Sequence, residues 1–229
     1  MKSLIKKIII IILIIIPEIA LTQMQLDWVK RYHGAYNGMD VANSVAVDDS
    51  GNVLVTGGVQ SNSGYICTTF KYDKTGILKW TKDYTPSYWC IGKDIICDDS
   101  GNVYVANSSS VIKYNNSGLL MWEYNDTTDY GKIILDSNVN LYCGGSKSGK
   151  FVATKLNIFG QRLWRTQQFG SDRFKDMVLD KSGSVSITGV AQSGTTFYDY
   201  YTIKYSNDGI ILWRKAYSGR AVYPSDDFV

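Results

Sequence analysis

Four times in this chain a glycine is followed, four residues on, by a tryptophan: Gly76/Trp80, Gly118/Trp122, Gly160/Trp164 and Gly209/Trp213. The segments read YDKTGILKW, YNNSGLLMW, LNIFGQRLW and YSNDGIILW. Four steps along a strand return to the same face, so each indole holds one fixed position relative to its turn. With Trp28 added, the tryptophans at 28, 80, 122, 164 and 213 recur at a mean interval near 46 residues. A period of that size belongs to propellers or solenoids.

A second motif repeats ahead of each of these segments. Asp48-Asp49-Ser50-Gly51-Asn52 matches Asp98-Asp99-Ser100-Gly101-Asn102, and Asp180-Lys181-Ser182-Gly183-Ser184 matches both. The third copy, Asp136-Ser137-Asn138-Val139-Asn140, has no glycine. Asn138 is expected to take its left-handed position. An early Asp or Asn and a late Gly are hairpin chemistry, so each unit contains two hairpins. In the first unit the alternation predicts strands over 41–47, 53–59, 65–72 and 77–84. A lysine precedes each Trp hairpin, at Lys71, Lys113, Lys155 and Lys204. It is expected to act as an edge charge that blocks sheet-to-sheet pairing.

A lone four-stranded sheet cannot bury both faces. Radial stacking solves this, and gives an all-β fold: a β-propeller of four-stranded antiparallel blades. A β-helix is the rival, although it needs no paired hairpins. Composition agrees with a packed β protein. The 229 residues are 45% hydrophobic and 20% charged, with 17 Tyr and 6 Trp.

The first residues, MKSLIKKIIIIILIIIPEIALTQ, put Lys2, Lys6 and Lys7 before the apolar run Ile8–Ile16. That run is shorter than the roughly 20 residues a membrane helix needs. Residues 1–22 therefore read as a signal peptide, with a retained anchor as the alternative, and residues 23–229 as the propeller domain. The predicted location is secreted or cell-surface, or the periplasm. Without residues 1–22 the chain has 21 basic and 20 acidic residues. It lacks the charge that binds nucleic acid, and no membrane attachment is expected once the signal is cleaved. The cysteines are expected to be buried hydrophobes. Cys67, Cys97 and Cys143 fall in strands and Cys90 in a loop, and Cys90 with Cys97 is the pair whose nearness suggests a bond.

The run DVANSVAVDDSGNVLVTGG, the segment FKYDKTGILKW and the KDY after it resemble the secreted β-propeller repeats often called SBBP. The resemblance spans residues 27–229 and implies an exported, many-bladed propeller. The turn-plus-Trp segment is also similar to the tryptophan-docking motif of quinoprotein propellers. Here the Asp-to-Gly spacing is one residue shorter, and Phe70 stands where that motif opens with Ala. No cofactor is expected.

The stretch Gln25–Tyr32 reads as the last strand of a blade, and Asp226-Asp227-Phe228-Val229 as the start of a first strand. The expectation is four complete repeats with partial first and last blades, an incomplete ring whose ends expose apolar faces and favour self-association. A tight four-bladed ring with frayed ends is the alternative.

The sequence assembles no catalytic set. His33 is its one histidine, so neither a His-based triad nor a multi-His metal site can be built. The DDSGN turns lack the ligand count of a calcium loop. Gly57-Gly58 and Gly144-Gly145, expected at strand ends, lack phosphate-loop spacing. Paired carboxylates of glycosidase type reduce to Asp126/Asp129 and Asp172/Asp176. The loops after the Trp strands are rich in aromatics. Tyr32, Tyr84 and Tyr217 stand four residues after a Trp and are assigned to blade core. Tyr36, Tyr88, Trp89, Tyr130 and Tyr223 stand outside that register and are the candidate ligand-binding residues. The function implied is a non-catalytic binding or structural module for protein or glycan. A propeller enzyme of quinoprotein, lyase or glycosidase type and a ligand-free surface repeat are the alternatives.

Overall fold

The computed structural model describes residues 26–86, 89–168, 173–192 and 198–217, with the side chains of 192 and 198 excepted. Its first blade contains β1 (Val41–Val47), β2 (Val53–Ser61), β3 (Gly64–Tyr72) and β4 (Leu78–Tyr84). The second contains β5 (Gly92–Cys97), β6 (Val103–Asn107), β7 (Ser110–Tyr114) and β8 (Leu120–Asn125). The third contains β9 (Asp129–Leu135), β10 (Leu141–Lys147), β11 (Lys150–Leu156) and β12 (Arg162–Gln168). The fourth contains β13 (Arg173–Leu179), β14 (Val185–Gln192), β15 (Tyr198–Tyr205) and β16 (Ile211–Tyr217). Each blade is an antiparallel meander in chain order. The first strands stand side by side, β1 by β5, β5 by β9 and β9 by β13, and no comparable contact joins β13 back to β1 among the described residues. The fold is a β-propeller array of four blades, open in these residues and not a tight four-bladed ring.

The cores lie between blades, not within them. Along β6, Val103 and Val105 enter the core shared with the first blade, while Tyr104 and Ala106 enter the core shared with the third. The two-residue period of a strand thus serves two interfaces at once. β10 does the same, with Leu141 and Cys143 on one side and Tyr142 on the other. At the two ends of the array no second partner sheet stands among the described residues. β16 is exposed along its whole length among the described residues, and Val45 and Val47 of β1 are exposed too.

The repeated glycine and tryptophan form an inter-blade latch. The indole N–H of Trp80 donates to the Asn116 carbonyl at 3.1 Å, that of Trp122 to Ile158 at 3.0 Å and that of Trp164 to Asn207 at 2.7 Å. Each acceptor lies two residues before the hairpin glycine of the next blade. That glycine rests on the indole: a Cβ on Gly160 would stand 2.6 Å from Trp122 Cδ2. The same residue has φ +76°, so glycine is required there twice over. Trp28 makes the same contact, donating to Lys74 at 3.2 Å and lying against Gly76. Residues 26–33 form no strand, yet Trp28 docks as the Trp of a last strand does. Trp213 is 42% exposed.

The first-hairpin turns follow the expected chemistry, with one difference. Asp48 Oδ1 accepts the Ser50 and Asn52 amides, and Asp136 Oδ1 accepts those of Asn138 and Asn140. In this turn of the third blade the left-handed residue is Val139, at φ +59°, and not Asn138. The turn is counted from its Asp, and Val139 stands where Gly51 stands. A β-branched residue there is strained, by about 1–2 kcal/mol. Val139→Gly is expected to raise Tm by about 2–4 °C, measured by thermal unfolding. Val139 also packs against the core between the second and third blades, so a loss of Tm would mean that packing outweighs the strain.

Four further expectations need correction. The four lysines are not edge guards. Lys71 is fully buried and pairs with Asp48 at 2.8 Å, Lys113 pairs with Asp98 at 3.9 Å, and Lys204 pairs with Asp180 at 2.8 Å. Lys155 reaches the Asn207 amide oxygen of the next blade. Gly57 and Gly145 are inside β2 and β10, opposite irregularities in β1 and β9. A Cβ on Gly57 would stand 1.9 Å from the Val41 carbonyl oxygen, a closeness only glycine allows. Tyr84 is core, whereas Tyr32 and Tyr217 are exposed, since each lies at an end of the array. Cys90 and Cys97 cannot bond: β5 lies between them, and six strand residues span roughly 20 Å. Cys67, Cys90 and Cys143 are buried and Cys97 half-buried, its Sγ donating to the Val47 carbonyl at 3.5 Å.

Candidate ligand-binding site

Two loops and one hairpin converge beside the first blade. The loop 34–40 is fastened by Asp40, which accepts the Gly34 amide at 2.6 Å and the Gln60 amide at 3.0 Å. Gln60 in turn accepts the Met39 amide at 2.7 Å. This clamp presents Tyr36, 45% exposed, at the tip. The hairpin between β2 and β3 supplies Ser61, Asn62 and Ser63, with Ser61 Oγ bonded to the Gly64 carbonyl at 3.1 Å. The linker to the second blade supplies Thr85 and Pro86. Together with Tyr65 and Ile66, these residues line a cleft of about 550 Å³.

Trp89 stands next to this cleft. It forms a parallel bridge with Tyr65, and the two rings meet edge to face, with centroids 4.9 Å apart at 71°. The Cys90 amide donates to the Tyr65 carbonyl at 3.0 Å, and Ile91 is bonded to Ser108 of the second blade. The backbone beside Trp89 is therefore anchored to both blades, while the residue remains 60% exposed. Such an arrangement of rigid rings with hydroxyl and amide groups at the rim suits stacking with directional hydrogen bonds.

The structure thus brings Tyr36 and Trp89 to one face, near Tyr65, which sequence reasoning missed. Its signal was position: it is the second residue of β3, directly after a polar hairpin. Tyr88 and Tyr223 lie outside the described residues. Tyr130 is a correction. It is 0% exposed, with its hydroxyl 3.1 Å from Thr154 Oγ1 and donating to Asp126 Oδ2 at 3.2 Å. It enters the strand β9 and packs into the core between the second and third blades, so it faces no ligand.

Among the described residues, the candidate carboxylates Asp126, Asp129 and Asp176 are each engaged by a neighbour. Burial would raise the Asp126 carboxyl, but Thr128 and Arg165 outweigh it and hold the group below the usual carboxylate range. Arg165 Nε lies 2.8 Å from Asp126 Oδ2. Asp129 is paired with Lys93 at 2.5 Å, and Asp176 accepts the Met177 amide. Asp172 lies outside the described residues. His33 is exposed on the segment before the clamp. Among the described residues no three His, Cys, Asp or Glu side chains gather as a metal site, and no helix is long and apolar enough to cross a membrane.

These features define a propeller-type repeat protein with an aromatic cleft on one flank. No family model matches the sequence, and no curated protein matches it. Solved structures do. A protein of unknown function from Bacteroides caccae is 12% identical over 77% of this chain and 67% of its own, with a TM-score of 0.51. A domain described as the extracellular part of a hybrid two component system from B. thetaiotaomicron is 13% identical over 83% of this chain and 24% of its own, also at 0.51. BamB from Moraxella catarrhalis is 15% identical over 79% of this chain and 66% of its own, at 0.47. The chain spans about two thirds of the first and third and about a quarter of the second, and the likeness at such identities concerns the fold alone.

Proposed function

We propose that this chain is part of an exported, non-catalytic propeller of the SBBP repeat type, which binds glycan in the cleft formed by Tyr36 and Tyr65 beside Trp89. The cleft carries the reading: aromatic faces stack on sugar rings, and Ser61, Asn62, Ser63 and Thr85 offer hydroxyl and amide partners at the rim. Export is supported by residues 1–22, read as a signal peptide, and by the near-neutral charge of residues 23–229. Self-association is supported by the exposed face of β16.

The test is a screen of soluble polysaccharides and oligosaccharides by calorimetry, continued with the best binder. Tyr36→Ala and Trp89→Ala are each expected to weaken binding about tenfold, equal to about 1.4 kcal/mol, with Tm unchanged because both side chains are exposed. Binding of peptides but no glycan would replace the ligand class. Glycan affinity untouched by both variants would remove the cleft from the proposal.

A further inference from the structure

The first core contains two thiols that belong together. Cys67, in β3, and Cys90, in the linker to the second blade, are both fully buried in the same cluster, with Leu54, Tyr84 and Ile95. The parallel bridge between Tyr65 and Trp89 and the Cys90 amide bonded to the Tyr65 carbonyl bring the two backbones alongside each other. The Cys67 thiol is pushed well above its ordinary value, first by the neighbouring Cys90 thiol and then by burial. Cys143 is in another core and Cys97 is bonded to the Val47 carbonyl. A disulfide needs its two cysteines on closely neighbouring backbones, and here Cys67 stands two residues from Tyr65, whose carbonyl accepts the Cys90 amide.

We propose that Cys67 and Cys90 close into a disulfide as the chain folds in an oxidising compartment, tying β3 to the linker that carries Trp89. The oxidant is a low-molecular-weight disulfide acting by thiol–disulfide exchange. One cysteine thiolate attacks it, forms a mixed disulfide and releases one small thiol. The second cysteine thiolate attacks the protein sulfur of that mixed disulfide and releases the other. Two S–H bonds are lost and one S–S bond forms in the protein, while one small disulfide becomes two small thiols. Both sulfurs are closed off in the finished fold, so exchange precedes the seating of the linker. Once formed, the bond is shielded from reductant by the same packing. It fixes the backbone that carries Trp89, because Trp89 is the residue before Cys90.

The test refolds the chain in a mixture of reduced and oxidised glutathione, alkylates it in denaturant and maps the peptides without reduction. The expected result is one peptide pair joined through Cys67 and Cys90, with Cys97 and Cys143 alkylated. Four alkylated cysteines, or a bond that uses Cys97 or Cys143, would overturn the proposal. The Cys97→Ala/Cys143→Ala variant is expected to form the same bond. In that variant, reducing and blocking the pair is expected to lower Tm by roughly 5–10 °C. An unchanged Tm would mean that the bond does not fasten the linker. None of these readouts involves a glycan, so the outcome stands apart from that of the ligand screen.

Discussion

Lys71→Ala is expected to destabilise the chain by about 3–5 kcal/mol, the cost of stranding a buried partner charge. The reason lies in what the ammonium group touches. Nζ is 2.8 Å from Asp48 Oδ2, in the first hairpin of its own blade, and 2.5 Å from Asn116 Oδ1, in the second hairpin of the next. Removing it leaves Asp48, itself buried, with only Asn52 and backbone amides. Urea unfolding should show a lower midpoint at an unchanged slope. Lys71→Met/Asp48→Asn should recover part of the loss, since Asn keeps the turn and no lone charge remains. Lys204→Ala should cost far less, because Lys204 and Asp180 are partly exposed and a pair of that kind contributes little.

The same pair predicts the acid limb of stability. Burial would raise the Asp48 carboxyl, but Lys71 and Asn52 outweigh it and bring it down to about 2 from 3.8. A lowered carboxyl means that the unfolded chain takes up protons more readily. The contribution, about 2 kcal/mol by linkage, is therefore complete above pH 4 and lost as pH falls from 4 to 2. Stability measured across that window should drop in the native chain and drop less in Lys71→Ala. An equal drop in both would detach the acid limb from this pair.

The second large effect concerns the latch. Gly160→Ala is expected to cost about 3 kcal/mol. About 1–2 kcal/mol comes from a left-handed backbone, and the rest from a methyl group set 2.6 Å from the Trp122 ring. In a Trp122→Ala background the collision vanishes, so the same substitution should cost only the backbone share. The coupling energy from the double-mutant cycle should be about 1–2 kcal/mol. Strict additivity would show that glycine and indole do not form one contact. Trp122→Ala alone should cost about 3 kcal/mol.

Much of this architecture is legible in the sequence because strand period, turn chemistry and the Trp interval agree. The first-unit strands read from sequence differ from β1–β4 by no more than two residues at any end. Features that depend on the next blade are not legible. Lys71 reads as an edge charge until Asn116, 45 residues on, is placed beside it. Tyr130 reads as a loop aromatic because the start of β9 cannot be fixed to one residue. Residue type favours Asn138, while the turn counts from Asp136 and selects Val139. Cys67 and Cys90 share one core beside the parallel bridge of Tyr65 with Trp89, which no hairpin signal announces. Of the site, Tyr36 and Trp89 are visible as aromatics out of register; their convergence with Tyr65 is not.

The latch has a polarity: donor on one side, acceptor and glycine on the other, the same at every junction. Contacts of this head-to-tail kind set no limit of their own on copy number, as in subunit rings where only the rotation per step decides between closure and a spiral. Blade number can therefore change by duplication without inventing a new joint. The variable loops on the flank, including the aromatic cleft, are free to diverge while every joint stays constant.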